Sequence, residues 1–308
     1  MNALSPHVNI APEVEAALAA GRPVVAIESA VFSHGLPEEH ARPLAQRLDA
    51  VVRAAGATPA LVAVREGRIA VGIDPAGIDF LFRPGVLKVA ERDLAAALAG
   101  RRSGGTTVAG TLAVADRVGI RVMVTGGIGG VHLGVETSGD VSADLPALAR
   151  YPVVVVCAGP KAICDAARTA EMLDTLGVTV VGYQTDTLPG FFVRSSGIPV
   201  RHRVETPEAV AAIAQAKTDL GERSAVLVVQ PPPAHAALDE RTVSEAIAHA
   251  LTRVRAEAVA GPRLTPYLLA AIAGATDGKT IATNLALLEA NAGLAAAIAL
   301  AWSAHRGS

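Results

Sequence analysis

Aromatic residues make up only 3% of the 308-residue chain, as five phenylalanines, three tyrosines and one tryptophan. Because 51% of the residues are hydrophobic and the length suits a large α/β domain, small aliphatic side chains must fill its core. Cysteine is nearly absent. Cys157 and Cys164 stand seven positions apart, and no C-x-x-C pair occurs. That excludes a disulfide scaffold and a zinc-finger-type site, and leaves free thiols in a reducing cytosol as the expectation. An excess of one charge is also missing: 27 basic and 29 acidic residues give a net charge of −2, with no footprint for nucleic acid or an anionic membrane. Neither G-x-G-x-x-G nor G-x-x-x-x-G-K-[ST] is present, which removes the common dinucleotide and P-loop phosphate sites. The N-terminus, M-N-A-L-S-P-H-V-N-I, lacks the basic start and apolar run of a signal peptide. The most apolar late segment, Leu294 to Trp302, spans nine residues, too few to cross a bilayer. A soluble cytoplasmic protein is expected. No linker, composition shift or internal repeat divides the chain, so residues 1–308 read as one domain.

What is there is an alternation. Pro23 to Ile27, Val122 to Val124, Val153 to Val156, Val178 to Val181 and Ala225 to Val229 are short, uniformly apolar and largely β-branched, as strands buried on both faces are. Ala60 to Val64 and Arg68 to Gly72 flank Glu66-Gly67 and predict a hairpin. Helical patterns occupy Ala11 to Ala20, Pro43 to Ala55, Glu91 to Leu98, Thr106 to Val118, Ala162 to Leu176 and Thr206 to Leu220. The remainder is largely helical, with a boundary near Gly261-Pro262. This order predicts an α/β protein with a mainly parallel sheet covered on both faces. Ligand chemistry in such a sheet belongs beyond the carboxyl ends of strands, where Glu28, the loop from Thr125 to Asp144 and Lys161 all fall.

The loop after Val124 carries Gly126, Gly127, Gly129 and Gly130, followed by His132, Glu136, Asp140, Ser142 and Asp144. Glycines let backbone approach a ligand closely, and oxygen-bearing side chains at a strand end suit a hard divalent cation or a hydroxylated substrate. Solvated carboxylates on an ordinary glycine turn would carry the same letters. In R-R-S-G-G-T-T-V-A-G-T, backbone N–H groups at a helix start near Thr107 offer an anion cradle; an ordinary N-cap by Ser103 or a threonine is the equal alternative. Lys161 is expected on the first turn of a helix, where a cation opposes the helix dipole. Partly buried there, its ammonium should titrate below the lysine range and leave a neutral amine able to attack a carbonyl carbon. An exposed first-turn lysine is the other reading. Asn284 falls early on the final helix, a place where asparagine is commonly a polar surface residue.

Taken together, the blocks A-I-E-S-A-V-F-S-H-G-L-P, G-G-T-T-V-A-G-T, T-G-G-I-G-G-V-H-L-G-V-E-T-S-G-D-V-S-A-D-L, C-A-G-P-K-A-I-C-D, V-G-Y-Q-T-D and T-N-L-A-L-L-E-A-N-A are long, ordered and unusual. From about Pro23 to Ala299 the chain resembles the pseudouridine-5′-phosphate glycosidases, a family that also includes the indigoidine-synthesis protein A. The resemblance implies a three-layer α/β/α fold, a homotrimer and a divalent cation, Mn²⁺ by preference with Mg²⁺ or another divalent ion in its place. It implies reversible cleavage of the C–C glycosidic bond of pseudouridine 5′-phosphate to uracil and ribose 5-phosphate. Residue by residue, it implies Glu28 as the acid, Lys161 as the nucleophile, Asp140 as the metal ligand, and Lys88, Val108, Ser142, Ala143 and Asp144 as substrate contacts. Thr107, His132 and Asn284 join them as additional site residues. The sugar-kinase domain fused to some relatives is not expected here. Two departures stand out, Gly159-Pro160 before the lysine in place of A-G-A or similar, and Gln230-Pro231 in place of N-P. Neither removes a group the chemistry needs.

A base joined to ribose through carbon cannot leave as a protonated oxygen or nitrogen, so two-carboxylate glycosidase logic does not suffice. A lysine that adds at C1′ of a ring-opened sugar supplies the electron sink that C–C cleavage requires. Two other classes stay open on the residues themselves. One is a different lysine-dependent sugar-phosphate lyase, and the other is a non-catalytic pathway-accessory protein.

Overall fold

The computed structural model describes residues 5–257 and 264–305. The boundary expected near Gly261-Pro262 lies outside them. Among the described residues eleven strands form one sheet: β1 (Val8–Ile10), β2 (Val24–Ile27), β3 (Thr58–Arg65), β4 (Arg68–Val71), β5 (Leu87–Val89), β6 (Gly104–Thr106), β7 (Val122–Val124), β8 (Val154–Cys157), β9 (Thr179–Tyr183), β10 (His202–Val204) and β11 (Val226–Val229). Their order is β1-β4-β3-β2-β7-β8-β11-β9-β10, with β6 on β3 and β5 on β6. From β3 across to β10 every neighbouring pair is parallel. The predicted hairpin is β3–β4, antiparallel about Glu66-Gly67, both with positive φ.

Register fixes where the strands end. Ile27 pairs with Val124, and Val124 pairs with Val156, so β2, β7 and β8 stop nearly level. Alternation along each strand then sorts side chains to two cores. Val25 and Ile27 face one core with Val122, Val124, Val154 and Val156, while Ala26, Met123 and Val155 face the other. The first is closed by α2 (Glu38–Ala54), α8 (Pro207–Asp219), α9 (Glu240–Ala256), α10 (Leu264–Ala275) and α11 (Lys279–His305); the second by α1 (Pro12–Ala19), α3 (Leu94–Ala99), α4 (Val108–Val118), α6 (Asp144–Arg150) and α7 (Ala166–Thr175). A one-turn helix, α5 (Val135–Ser138), lies in the loop between β7 and α6. The architecture is the expected three-layer α/β/α.

Two helix starts differ from the sequence reading. α2 begins at Glu38, so Pro43 lies inside it, in the second turn. α7 begins only at Ala166, because the Asp165 side chain accepts from the Arg168 N–H and fixes the cap there. The final helix, α11, begins at Lys279 ahead of Asn284, as expected, and its 27 residues extend well beyond the nine-residue apolar segment Leu294 to Trp302. By length and hydropathy it would suffice to cross a membrane, yet 56% of its most apolar window is buried inside the protein, where it packs on α2, α8 and β7.

Small residues make the junction near β6 possible. A Cβ on Gly105 would collide with Ser33 Oγ and lie 2.9 Å from the Ser29 carbonyl oxygen. Ser29 accepts from the Thr106 N–H at 2.9 Å, and Thr106 Oγ1 donates to the Val62 carbonyl at 2.7 Å. This buried ladder ties the start of α4 to the end of β2. Gly105→Ala should therefore overpack it and lower unfolding stability by about 1–3 kcal/mol, read as a lower midpoint in urea; an unchanged midpoint would mean that the ladder yields freely.

Candidate active site

Because β2, β7 and β8 end level, the residues that follow them meet. Glu28 follows β2, its N–H donating to the Val124 carbonyl at 3.4 Å, and Thr125 follows β7, its N–H donating to the Val156 carbonyl at 3.1 Å. Thr125 Oγ1 donates to Glu28 Oε2. Glu28 is 3% exposed, and burial pushes its carboxyl above the usual carboxylate range, against the opposing pull of Lys161, the Thr125 hydrogen bond and Lys88. A carboxyl pushed up by burial at a strand end is suited to general acid work.

Lys161 comes from the loop after β8, five residues ahead of α7. Its N–H donates to the Ile128 carbonyl at 2.9 Å, and the Ile128 N–H donates to the Gly159 carbonyl at 3.1 Å. Pro160 sits between these two bonds, paired with Ile128 in a bridge that uses the flanking residues' polar groups. Its missing N–H therefore leaves no gap. The expected first-turn position and lowered titration are both corrected here. Burial alone would push the Lys161 ammonium down, but the carboxylates of Glu28 and then Asp144 overcome it and hold it above the lysine range. Lys88, on β5, moves the other way, lowered by burial and by Lys161 against the pull of Asp144, Glu28 and Asp140.

Asp144 is 5% exposed and braces two elements. Its Oδ1 accepts from the Ala109 N–H at 2.9 Å and its Oδ2 from the Gly129 N–H at 2.8 Å. The carboxylate is thus committed to backbone at the start of α4 and in the glycine loop, while its charge faces Lys161. Ser142 Oγ accepts from the Asp144 N–H at 3.2 Å, and Ala143 caps α6. Val108 is fully buried, its side chain packed in the core under α4. At the helix start the Thr111 N–H returns to the Thr107 carbonyl at 2.8 Å, and Thr107 Oγ1 accepts from the Gly110 N–H at 3.4 Å. With the Ala109 N–H taken by Asp144, the Val108 N–H is left as a donor.

The remaining candidates divide. His132 is buried, its Nδ1 lacking a hydrogen bond and lying 3.6 Å from Asp140 Oδ2. Burial lowers its titration against the pull of Asp140. Asn284, 6% exposed on α11, has an unpaired Oδ1 beside Gly126. Glu136 turns outward to pair with Arg168 at 2.9 Å. Among the described residues no three His, Cys, Asp or Glu side chains form a metal cage. Asp140, its side chain 42% exposed, is a single carboxylate donor, which fits only a cation that keeps several waters.

Sequence reasoning missed three groups. Thr125 and Ser29 act through cross-strand neighbours that no linear spacing reveals. Phe191 packs its ring on Gly127 and donates its N–H to the Ala158 carbonyl at 3.2 Å, closing one side of the loop. The clustering of scarce aromatics after β9 was the available signal. The glycines of the loop serve this internal packing: a Cβ on Gly127 would meet Phe191, and one on Gly130 would meet Thr169.

A family profile described as indigoidine synthase A like protein matches residues 13–301. The chain is 48% identical over 304 residues to the pseudouridine-5′-phosphate glycosidase of Methylobacterium nodulans, covering 98% of this chain and 90% of that one. It is 48% identical to the pseudouridine-5′-phosphate glycosidase of Herpetosiphon aurantiacus, covering 95% and 97%. Among solved structures, the prealnumycin C-glycosynthase AlnA in complex with ribulose 5-phosphate matches with a TM-score of 0.90 at 37% identity, covering 98% of this chain and 99% of that one. An indigoidine synthase A-like protein from Thermotoga maritima matches with a TM-score of 0.90 at 34% identity and the same coverage.

Removing one negative charge should free the lysine. In Asp144→Asn the Lys161 ammonium loses a carboxylate that favours its charged form, so its titration should move to lower pH, followed by the ¹⁵N shift of its amine. An unmoved titration would show that Asp144 acts on backbone alone.

Proposed function

The chain belongs to the indigoidine synthase A like family, and from that membership and the site we propose that it catalyses the reversible cleavage of the C–C glycosidic bond of pseudouridine 5′-phosphate to uracil and ribose 5-phosphate. The observation that carries the reading is the meeting of a buried Glu28, its carboxyl pushed up by burial, with Lys161 at the level ends of three parallel strands. A carboxyl acid beside an amine is the pair that a lysine-linked, ring-opened sugar demands.

In this mechanism Glu28 gives its proton to the ring oxygen O4′ as the C1′–O4′ bond breaks, its electron pair leaving on oxygen. The neutral amine of Lys161 forms the C1′–N bond. The proton that the nitrogen then carries passes to the Glu28 carboxylate, which delivers it to C5 of the base. The nitrogen lone pair forms C1′=N, the C1′–C5 bond breaks, and its pair returns to the pyrimidine ring as C5=C6. Water adds to the iminium carbon, Glu28 takes a proton, and the C–N bond breaks to release the aldehyde of ribose 5-phosphate and restore the amine. Resting Lys161 is held as an ammonium, so the productive state arises when the pair's shared proton sits on Glu28 and not on nitrogen.

Lys88 and the Val108 N–H, with Ser142 and Ala143 nearby, are placed in this reading as the phosphate and sugar contacts, a point charge plus a main-chain donor at a helix start. His132 and Asn284 offer polar atoms to the base. Mn²⁺, or Mg²⁺, would be held through Asp140 and its own waters and would supply positive charge against substrate oxygens. The same proposal places the protein in the cytoplasm as a homotrimer in nucleotide catabolism.

Incubation with pseudouridine 5′-phosphate and Mn²⁺ should release free uracil, and a chelator should suppress the release. Borohydride added during turnover should fix the sugar phosphate to Lys161, located by peptide mass. Lys161→Ala should lose more than about 10³ of kcat; appreciable turnover in that variant would remove the covalent step. Uracil-independent cleavage of other sugar phosphates would favour the lyase reading instead.

A further inference from the structure

Asn291 lies on α11, 1% exposed, 166 positions in sequence from the residue it touches. Its Nδ2 donates to the Thr125 carbonyl at 3.0 Å and approaches the Gly126 carbonyl at 3.5 Å. Both neighbours are acceptors, so the donor end of the amide must face them whichever way the side chain is drawn. Its Oδ1 is buried and unpaired. An amide that uses its donors and leaves its acceptor without a partner is a poor choice for stability alone. The geometry points to a different reason for it.

The Thr125 it holds is the residue whose hydroxyl donates to Glu28. The Thr125 N–H is fixed to Val156, and the Gly126 carbonyl also accepts from the Ala158 N–H at 2.8 Å. The Thr125 carbonyl has no strand beyond it to bond, because the parallel ladder of β7 ends at Val124. Among the described residues its partner comes from the helix. Asn284 sits two turns earlier on the same helix, and with Leu287 and Leu288 it crowds the other side of the turn at Gly126. We propose that Asn291 is a positioning residue, which locks the Thr125–Gly126 turn so that the Thr125 hydroxyl stays aimed at Glu28 and sets the protonation of that acid.

The mechanism named for Glu28 rests on the proposed function, but the positioning does not, and the test reads it without substrate. The charged groups that face Glu28 are Lys161 from the loop after β8, Lys88 from β5 and Asp144 from α6. None of them is touched by a change at Asn291. The Thr125 hydrogen bond favours the ionised carboxylate, so loosening it must raise the Glu28 titration further. In Asn291→Ala, with Asn291→Ser as the second variant should the first not fold, the ¹³C carboxyl shift of Glu28, assigned by Glu28→Gln, should titrate about one pH unit higher than in the unaltered protein. Thr125→Val should give the same shift, and the double variant Thr125→Val with Asn291→Ser should add nothing to it. Far-ultraviolet circular dichroism would stay unchanged. A Glu28 titration that stays put in a folded Asn291 variant, or two shifts that add, would overturn the proposal and leave Asn291 as packing only. With pseudouridine 5′-phosphate, the Asn291 variant should lose about tenfold or more in kcat with little change in KM. Uracil release by the unaltered protein is scored separately, so a wrong substrate and a wrong role for Asn291 give different results.

Discussion

The hydrogen-bonded register of β2, β7 and β8 sets where chemistry can occur in this fold. Parallel pairing leaves the last carbonyls and the following N–H groups of neighbouring strands side by side, and here three strands end within one row of Ile27, Val124 and Val156. The residues placed just beyond that row cannot return into the sheet, so their polar groups need each other. Glu28 takes the Thr125 hydroxyl, the Lys161 N–H takes Ile128, and the Thr125 carbonyl takes Asn291. A one-residue slip of β7 against β2 would turn Thr125 away from Glu28 and put a core valine in its place.

Charge is arranged around that row in a way that burial makes expensive and neighbours make tolerable. Burial pushes the Glu28 carboxyl up, while the nearby carboxylates of Glu28 and then Asp144 push the Lys161 ammonium up against burial. Two backbone N–H groups bond the buried Asp144 carboxylate in place of water. It is therefore both a mechanical tie between α4 and the glycine loop and the fixed negative charge that the lysine feels. Lys88 is lowered by burial and by repulsion from Lys161, against the pull of Asp144, Glu28 and Asp140.

Much of this was legible in the sequence wherever local pattern carries the signal. Uniform apolar runs gave the parallel strands, and position after a strand gave Glu28 and the loop that bears Asp140 and Asp144. Lys161 was legible as a site residue but not in its environment. The Gly159-Pro160-Lys161 turn looked like a helix start, whereas its polar groups pair with Ile128 and the helix waits for the Asp165 cap. What set its titration was the nearness of two carboxylates from other elements, which no spacing along the chain encodes. Thr125, Ser29 and Asn291 were invisible for the same reason. Each acts through a partner fixed by register or by helix packing, 97, 77 and 166 positions away.

The scarcity of aromatics and the abundance of glycine acquire a shared reason at the site. A loop rich in glycine would ordinarily suggest mobility, yet here the space of the missing side chains is occupied by neighbours: Phe191 fills the space above Gly127, and Thr169 fills that beside Gly130. Bulkier residues at those positions would push the loop off the sheet end and separate Lys161 from Glu28. The alanine-rich faces of α4 and α11 do the same for the layers, letting helix backbones come close enough for a short side chain such as Asn291 to reach a strand carbonyl. The precision of the site thus depends on small side chains around it as much as on the reactive ones in it. A substitution that adds one methyl group at such a position would be expected to cost activity before it costs the fold, since the fold has two large cores and the site has one row of strand ends.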